Sequence, residues 1–311
     1  MSHVNSLNSQ RGTAIIIALF VMTIAVAASI VMMTRLQVDI RRTEALLNTE
    51  QTAQYVQGSV AWAIDKLTMD WQQKKPDQVV DKTPITTKEE NVNGYKIQSI
   101  IFDAQRLFNL NNLTVADYQF DFLHLIKTIE PKLKNADATK ITIAIHDWLS
   151  PNNNTEVAAY YAGLNPGYKS PHAPMASVSE LRLIKGITPD LYNKLLPYII
   201  VLPATTPINV NNAPAQVLMS LSQHMSFADT QKLIELRKQT PFLDPQSFGA
   251  VDVIKNNHID NGKITVVSNY FLVETKVSIG QQQTILYTLL SRATQGPKSA
   301  ITVLWQLKGT L

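Results

Sequence analysis

The 311-residue chain contains no cysteine. That excludes disulfide scaffolds, Cys-ligated zinc, iron–sulfur clusters and thiol catalysis, and it suits a reducing or an oxidising compartment equally. Charge is also scarce: 17% of residues are Asp, Glu, Lys or Arg, against about 25% in an ordinary domain. The 28 basic and 24 acidic side chains leave a net +4, too mild for an electrostatic nucleic-acid binder. Enzyme signatures are missing as well. The six histidines, His3, His124, His146, His172, His224 and His258, form no His-x-x-x-His pair, and neither a Gly-x-Ser-x-Gly elbow nor a phosphate loop is present. His146 adjoins Asp147, but sequence neighbours on a helix do not face each other. What the chain does have is apolar bulk: 45% hydrophobic residues, enough for a sizeable core and about two domains.

Most of the missing charge is missing from one place. Residues 13–34, between Arg11 and Arg35, contain no charge, Gly or Pro and are apolar on every side. Twenty-two helical residues span about 33 Å, close to the bilayer hydrocarbon thickness. A core helix of a soluble protein would be polar along one face, so the run reads as a membrane span. The rival is a cleaved secretory signal with Ala25-Val26-Ala27 as its small-residue site, against which the apolar run continues to Met33 with no helix breaker before that site. Charge leaves the orientation open. Arg35, Arg41 and Arg42 follow the span and Arg11 alone precedes it, which by the positive-inside rule taken alone puts the body in the cytoplasm.

The helix continues past the span. Leu36, Ile40, Leu47, Val56, Val60, Ile64 and Leu67 recur on one helical face, and no Pro appears before Pro76. Residues 76–93 are polar and read as a loop. Strands are expected over 95–102, 263–267, 270–277, 284–290 and 301–307, where β-branched and aromatic residues alternate. Between early and late strands lies a stretch punctuated by helix caps: Ser177 with Glu180 as a capping box, Thr188 before Pro189, Asn212 before Pro214, and Ser226 before Asp229. The pattern predicts an α+β fold with a mostly helical insertion over 113–257.

A short polar leader ending in Gln10-Arg11-Gly12 before an apolar helix resembles the class III leader of type IV pilins and type II secretion pseudopilins. The resemblance implies cleavage by the prepilin peptidase after Gly12 and methylation of the new N-terminal Thr13. Most members carry Glu at the fifth mature position, here Ile17; a buried carboxylate in lipid is costly unless paired, and its loss marks the minor pseudopilin K family, placed at the filament tip. The blocks 103–113, His146-Asp147-Trp148-Leu149, 179–189 and 206–213 resemble that family in order. The resemblance implies a pilin-like fold, its long transmembrane helix packed on a small antiparallel sheet. It divides the chain into a leader (1–12), transmembrane helix (13–34), first pilin-like part (35–112), inserted helical domain (113–257) and C-terminal strands (258–311). It also implies a body in the periplasm below a single inner-membrane pass, with other minor pseudopilins and the major pseudopilin filament as partners.

Two further patterns compete. Residues 181–188 and 210–248 resemble helix-hairpin-helix units, the basis of an alternative reading as a membrane-tethered periplasmic DNA-binding module. The first turn has Gly186 alone and the second has no Gly, which removes the close backbone approach that phosphate contact needs, and Glu180, Asp190 and Glu235 dilute the basic residues. No nucleic acid partner is therefore expected. The oxygen-rich stretch from Asp147 through Asn152 to Glu156 is the candidate metal loop. In the K family this loop helps to hold calcium; here Ser150, Asn152 and Ala158 stand where acids are expected, and Asp147 and Glu156 alone bring charge. The plain alternative is an Asn-rich loop making turn hydrogen bonds.

Overall fold

A computed structural model describes residues 7–73, 84–87, 89–150, 155–255, 257, 259–293 and 301–309. The chain divides into two compact units, Met1–Gln57 and Gly58–Leu311. The helix α1 (Leu7–Gln73) is 67 residues long, uninterrupted because proline is absent throughout and Gly58 costs a helix only about 1 kcal/mol.

The second unit begins with the last turns of α1, where Val60, Ala63 and Leu67 are buried at spacings of three and four. It continues with β1 (Ile85–Thr86), β2 (Glu90–Val92), β3 (Tyr95–Asp103), β4 (Phe108–Asn109), α2 (Ala116–Ile129), α3 (Asn135–Leu149), α4 (Thr155–Ala162) and α5 (Pro189–Leu195). Next come β5 (Ile199–Ile200), β6 (Ile208–Asn209), α6 (Ala215–Ser220), α7 (Phe227–Gln239), α8 (Pro245–Gly249) and α9 (Asp252–Lys255). The chain closes with β7 (Ile264–Thr265), β8 (Tyr270–Ile279), β9 (Gln282–Arg292) and β10 (Ile301–Lys308).

The main sheet is antiparallel in the order β1-β3-β8-β9-β10, with β2 also on β3. Asn93 and Gly94 turn β2 into β3 with φ of 52° and 83°, the two-residue hairpin that Asn-Gly favours. In the β3–β8 pair Ser99 faces Thr275 and Ile101 faces Val273; all four are buried, and the two hydroxyls lie 3.4 Å apart. On the same face Arg292 is buried between rings, 4.5 Å from the Trp71 centroid and 4.7 Å from that of Phe271.

Everything from β4 to β7 is lodged between two hydrogen-bonded neighbours, β3 and β8. This insertion has its own core, including Phe108, Phe122, Trp148, Tyr161, Leu181 and Leu218. A smaller cluster of Ala104, Ile200, Leu202 and Leu289, flanked by Tyr270 and Trp305, seats it on the sheet. The strands expected at 95–102, 270–277, 284–290 and 301–307 form within a few residues of those bounds. The one expected at 263–267 differs: Ile264 and Thr265 alone are strand, pairing in parallel with β6, after a 3-10 turn at Asn261–Lys263. Ile264 and Val266 are buried in the helical core, so their apolar alternation reflects that core rather than the main sheet.

Candidate functional site: an apolar helix and a buried amide junction

In the first unit, α1 carries its apolar residues outward. Ile17 is 58% exposed and Phe20 65%, and a stretch of mean hydropathy 2.8 is long and apolar enough to cross a membrane. Its few hydroxyls turn back on the helix itself. Thr23 donates to the Phe20 carbonyl and Ser29 to that of Ala25, both at 2.8 Å, and Thr34 donates to the carbonyl of Ile30. These three hydroxyls are thereby satisfied within the helix, as a hydrocarbon surrounding demands. Gly12, Thr13 and Ile17 lie together here. Thr13 and Ile17 share a helix face, being four residues apart, and open space surrounds the position a Gly12 Cβ would take.

In the second unit, the blocks 103–113 and 206–213 meet in a buried network of side-chain amides. Asn109 accepts from Leu202 N at 3.0 Å and Asn111 N at 3.1 Å, and donates to Ala204 O at 2.8 Å. Asn112 accepts from Thr206 N at 3.0 Å and donates to Thr206 O at 2.8 Å, reading that residue's backbone at both ends. Asn111 does the same to Met175, at 2.9 and 3.1 Å. Gln105 bridges Pro207 O and the backbone N–H of Asn269. Asn211 clamps Phe242 through both backbone groups, at 3.0 and 2.8 Å. A primary amide is the one neutral side chain with donor and acceptor side by side, so it pairs with backbone as backbone does. Here it substitutes for strand pairing in segments too irregular for a ladder, which leaves their buried peptide groups satisfied. The family resemblance of these blocks assigns the asparagines no role. The available signal was Asn alternating with Leu, Ile and Val in runs otherwise fit for a core.

The expected caps are mostly present. Ser177 with Glu180 and Ser226 with Asp229 form capping boxes, and Thr188 accepts from Leu191 N at 3.2 Å. The Ser177 box caps a 3-10 helix, Val178–Leu183, and Glu180 also accepts from Trp148 Nε1 at 3.1 Å. Asn212 caps no helix: its amide donates to Asp103, and Pro214 takes the N-cap position of α6 without a side-chain bond. In the first hairpin-like turn Gly186 has φ +91°, and a Cβ there would lie 2.9 Å from Ile141 Cγ1 on α3. Conformation and packing together account for this glycine, with no phosphate required.

Of the candidate metal residues, Asp147 sits in the last turns of α3, Glu156 lies in α4, and Asn152 falls outside the described residues. The flanks of the 151–154 segment are tied together. Trp148 meets Tyr161 edge-on at 5.6 Å, Tyr161 stacks on Tyr168 at 5.2 Å, and Tyr161 Oη accepts from Lys185 N. Burial pushes the Tyr161 hydroxyl above its ordinary pKa. His172 Nδ1 donates to the carbonyls of Ser150 and Asp147, at 2.9 and 3.1 Å. Among the described residues no group of three or more His, Asp or Glu gathers as a cation cage. Two carboxylates and neutral oxygens are a lean donor set for calcium, whose affinity follows ligand charge.

A long apolar N-terminal helix and an antiparallel sheet with a helical domain lodged between its strands define the α+β, pilin-like class of fold. Two family models, both described as type II secretion system (T2SS) protein K, match residues 106–204 and 208–266, together about half of the chain. The chain belongs to this family of minor pseudopilins. The type II secretion system protein K of Pectobacterium carotovorum subsp. carotovorum is 27% identical over 297 residues, covering 87% of this chain and 89% of its own. That of Pseudomonas aeruginosa is 26% identical over 305 residues, covering 92% and 90%. Among solved structures, a chain of the GspK-GspI-GspJ complex from the enterotoxigenic Escherichia coli Type 2 Secretion System superposes with a TM-score of 0.72. Its sequence identity is 21%, and the match covers 87% of this chain and 100% of that one.

Proposed function

We propose that this chain is the tip subunit of a type II secretion pseudopilus, assembled with two other minor pseudopilins and helping to initiate the filament that exports folded proteins. The observation that carries the reading is the insertion between β3 and β8. A domain of that bulk on a pilin-like sheet obstructs a further subunit stacked above it, so such a subunit terminates a filament. The related GspK chain comes from a GspK-GspI-GspJ complex, which supports minor pseudopilins as the partners. In this reading the protein acts by packing and performs no catalysis. Prepilin peptidase cuts between Gly12 and Thr13, Thr13 is methylated, and α1 enters the inner membrane with the body in the periplasm. Ile17 replaces the usual Glu because a tip subunit has no neighbour above it whose amine needs neutralising. Purification of the tagged chain from cells expressing the whole system tests this. The expected result is equimolar recovery of two minor pseudopilins with little major pseudopilin; recovery in proportion to filament length contradicts tip placement.

The same reading assigns Asp147, Asn152 and Glu156 to a weak calcium site. The low charge of the donor set supports affinity in the millimolar class of extracellular modules.

A further inference from the structure

The arginines that follow the apolar run are on the wrong side for the positive-inside rule if the body is periplasmic, and their arrangement gives a reason to keep them there. Arg35 and Arg42 are seven residues apart, about 10.5 Å along one face of α1, and both are exposed. With Val31, Thr34, Val38 and Asp39 they line a shallow concavity on the helix. Asp39 lies one turn from each arginine, the spacing at which helix side chains meet. Yet none of the ion pairs among the described residues engages Arg35, Arg41 or Arg42. The guanidiniums stand free directly beyond Thr34, where a span starting at Thr13 reaches the far edge of about 30 Å of hydrocarbon.

We propose that Arg35 and Arg42 clasp the phosphate of an anionic phospholipid in the outer leaflet of the membrane that α1 spans, with Val31 against the upper acyl chain. The proposal rests on the reading of α1 as a membrane anchor. A guanidinium offers a planar fork that matches phosphate oxygens, and its apolar stem lies along the helix while its head stays at the interface. Asp39 faces the same concavity and limits the attraction. Arg41 projects about 120° away and takes no part. The clasp fixes how deeply and at what rotation the helix sits, which decides the face of α1 that meets neighbouring helices.

The test uses the full chain in bilayer nanodiscs of equal phosphatidylglycerol and phosphatidylcholine, with retained lipid counted by native mass spectrometry. Phosphatidylglycerol is expected to be retained preferentially. R35Q and R42Q should each lower that preference about fivefold, the effect of about one basic residue at an anionic surface. D39N should raise it, and R41Q should leave it near wild type. Equal retention of the two lipids, or an R35Q/R42Q variant that matches wild type, overturns the proposal. So does a double variant that keeps its lipid but loses copurifying pseudopilins, which would make the arginines a protein contact. Extraction of the chain from native membranes by alkaline carbonate would instead bring down the anchor reading itself, and the clasp with it.

Discussion

The Asn212 amide donates to the Asp103 carboxylate at 2.7 Å across 109 positions of sequence. Asp103 ends β3 and also accepts from Gln105 N at 2.9 Å, while Asn212 lies in the segment leading to α6. One contact therefore joins the strand that leaves the sheet to a loop deep in the insertion. Asn109, Asn111 and Asn112 multiply the device, and the long excursion between β3 and β8 is held at its root by amides as well as by apolar packing.

Removing one such amide strands several buried peptide groups at once. Asn109→Ala deprives Leu202 N and Ala204 O of their partners and is expected to cost about 2–4 kcal/mol. Asn109→Asp keeps the acceptor but turns a carboxylate on the Ala204 carbonyl, and should destabilise at least as much. Urea unfolding of the two variants measures both. A loss under about 0.5 kcal/mol, ordinary for an exposed site, would deny the junction its role.

Gly186→Ala tests the packing account of the hairpin turn. The new methyl meets Ile141 and the backbone holds a φ of +91°, so a loss of about 1–3 kcal/mol is expected. Combining it with Ile141→Ala, which removes the Cγ1 that the new methyl would meet, should restore part of the steric cost and none of the conformational cost, giving a favourable coupling in the double-mutant cycle. Strict additivity would show that Ile141 is not what excludes the side chain.

Asp121 gives the folded body a pH signature. It is buried on α2, with Lys263 Nζ at 2.9 and 3.1 Å from its oxygens. Burial, aided by Asp117 and Asp260 and opposed by Lys263, pushes its carboxyl from 3.8 up to about 6. The native state then holds this proton more tightly than the unfolded chain, so the Asp121 contribution to stability falls as pH rises toward 6 and is regained on acidification. Glu130 and Asp229 are held below their ordinary values, and their opposite contributions are lost only at still lower pH. Between pH 4.5 and 6, Asp121→Asn should flatten the stability profile; a variant with the wild-type slope would place the proton elsewhere.

Calcium separates a lean cage from a full one. Thermal melts in micromolar calcium should coincide with melts in chelator, and an upward shift should appear only at millimolar calcium, where ligand exceeds a weak Kd. A shift at micromolar calcium would demand more carboxylates than Asp147 and Glu156 supply; none at millimolar would dismiss the site.

The parts of this fold legible in the sequence were those with a sustained period. The apolar helix, its amphipathic continuation and the long strands at Tyr95, Tyr270, Gln282 and Ile301 repeat long enough to be read. The two-residue strands at Phe108, Ile199 and Ile208 carry no period at all, the alternation at Ile264 answers to the helical core, and the parallel pairing of all four depends on partners far along the chain. Thr188 and Ser226 were readable as caps because their partners lie within three residues. Asn212 had the same local grammar, yet a carboxylate 109 positions away took its amide. Side-chain to distant-backbone bonds leave no local spacing, only the oddity of asparagine in an apolar run.

The most direct test of the anchored, processed pseudopilin is the intact mass and N-terminal sequence of the mature protein from cells that express the secretion system. The predicted result is a chain beginning at Thr13, heavier by one methyl group and retained in the membrane fraction. A soluble chain beginning at Ala28, cut as an ordinary secretory signal, would contradict it.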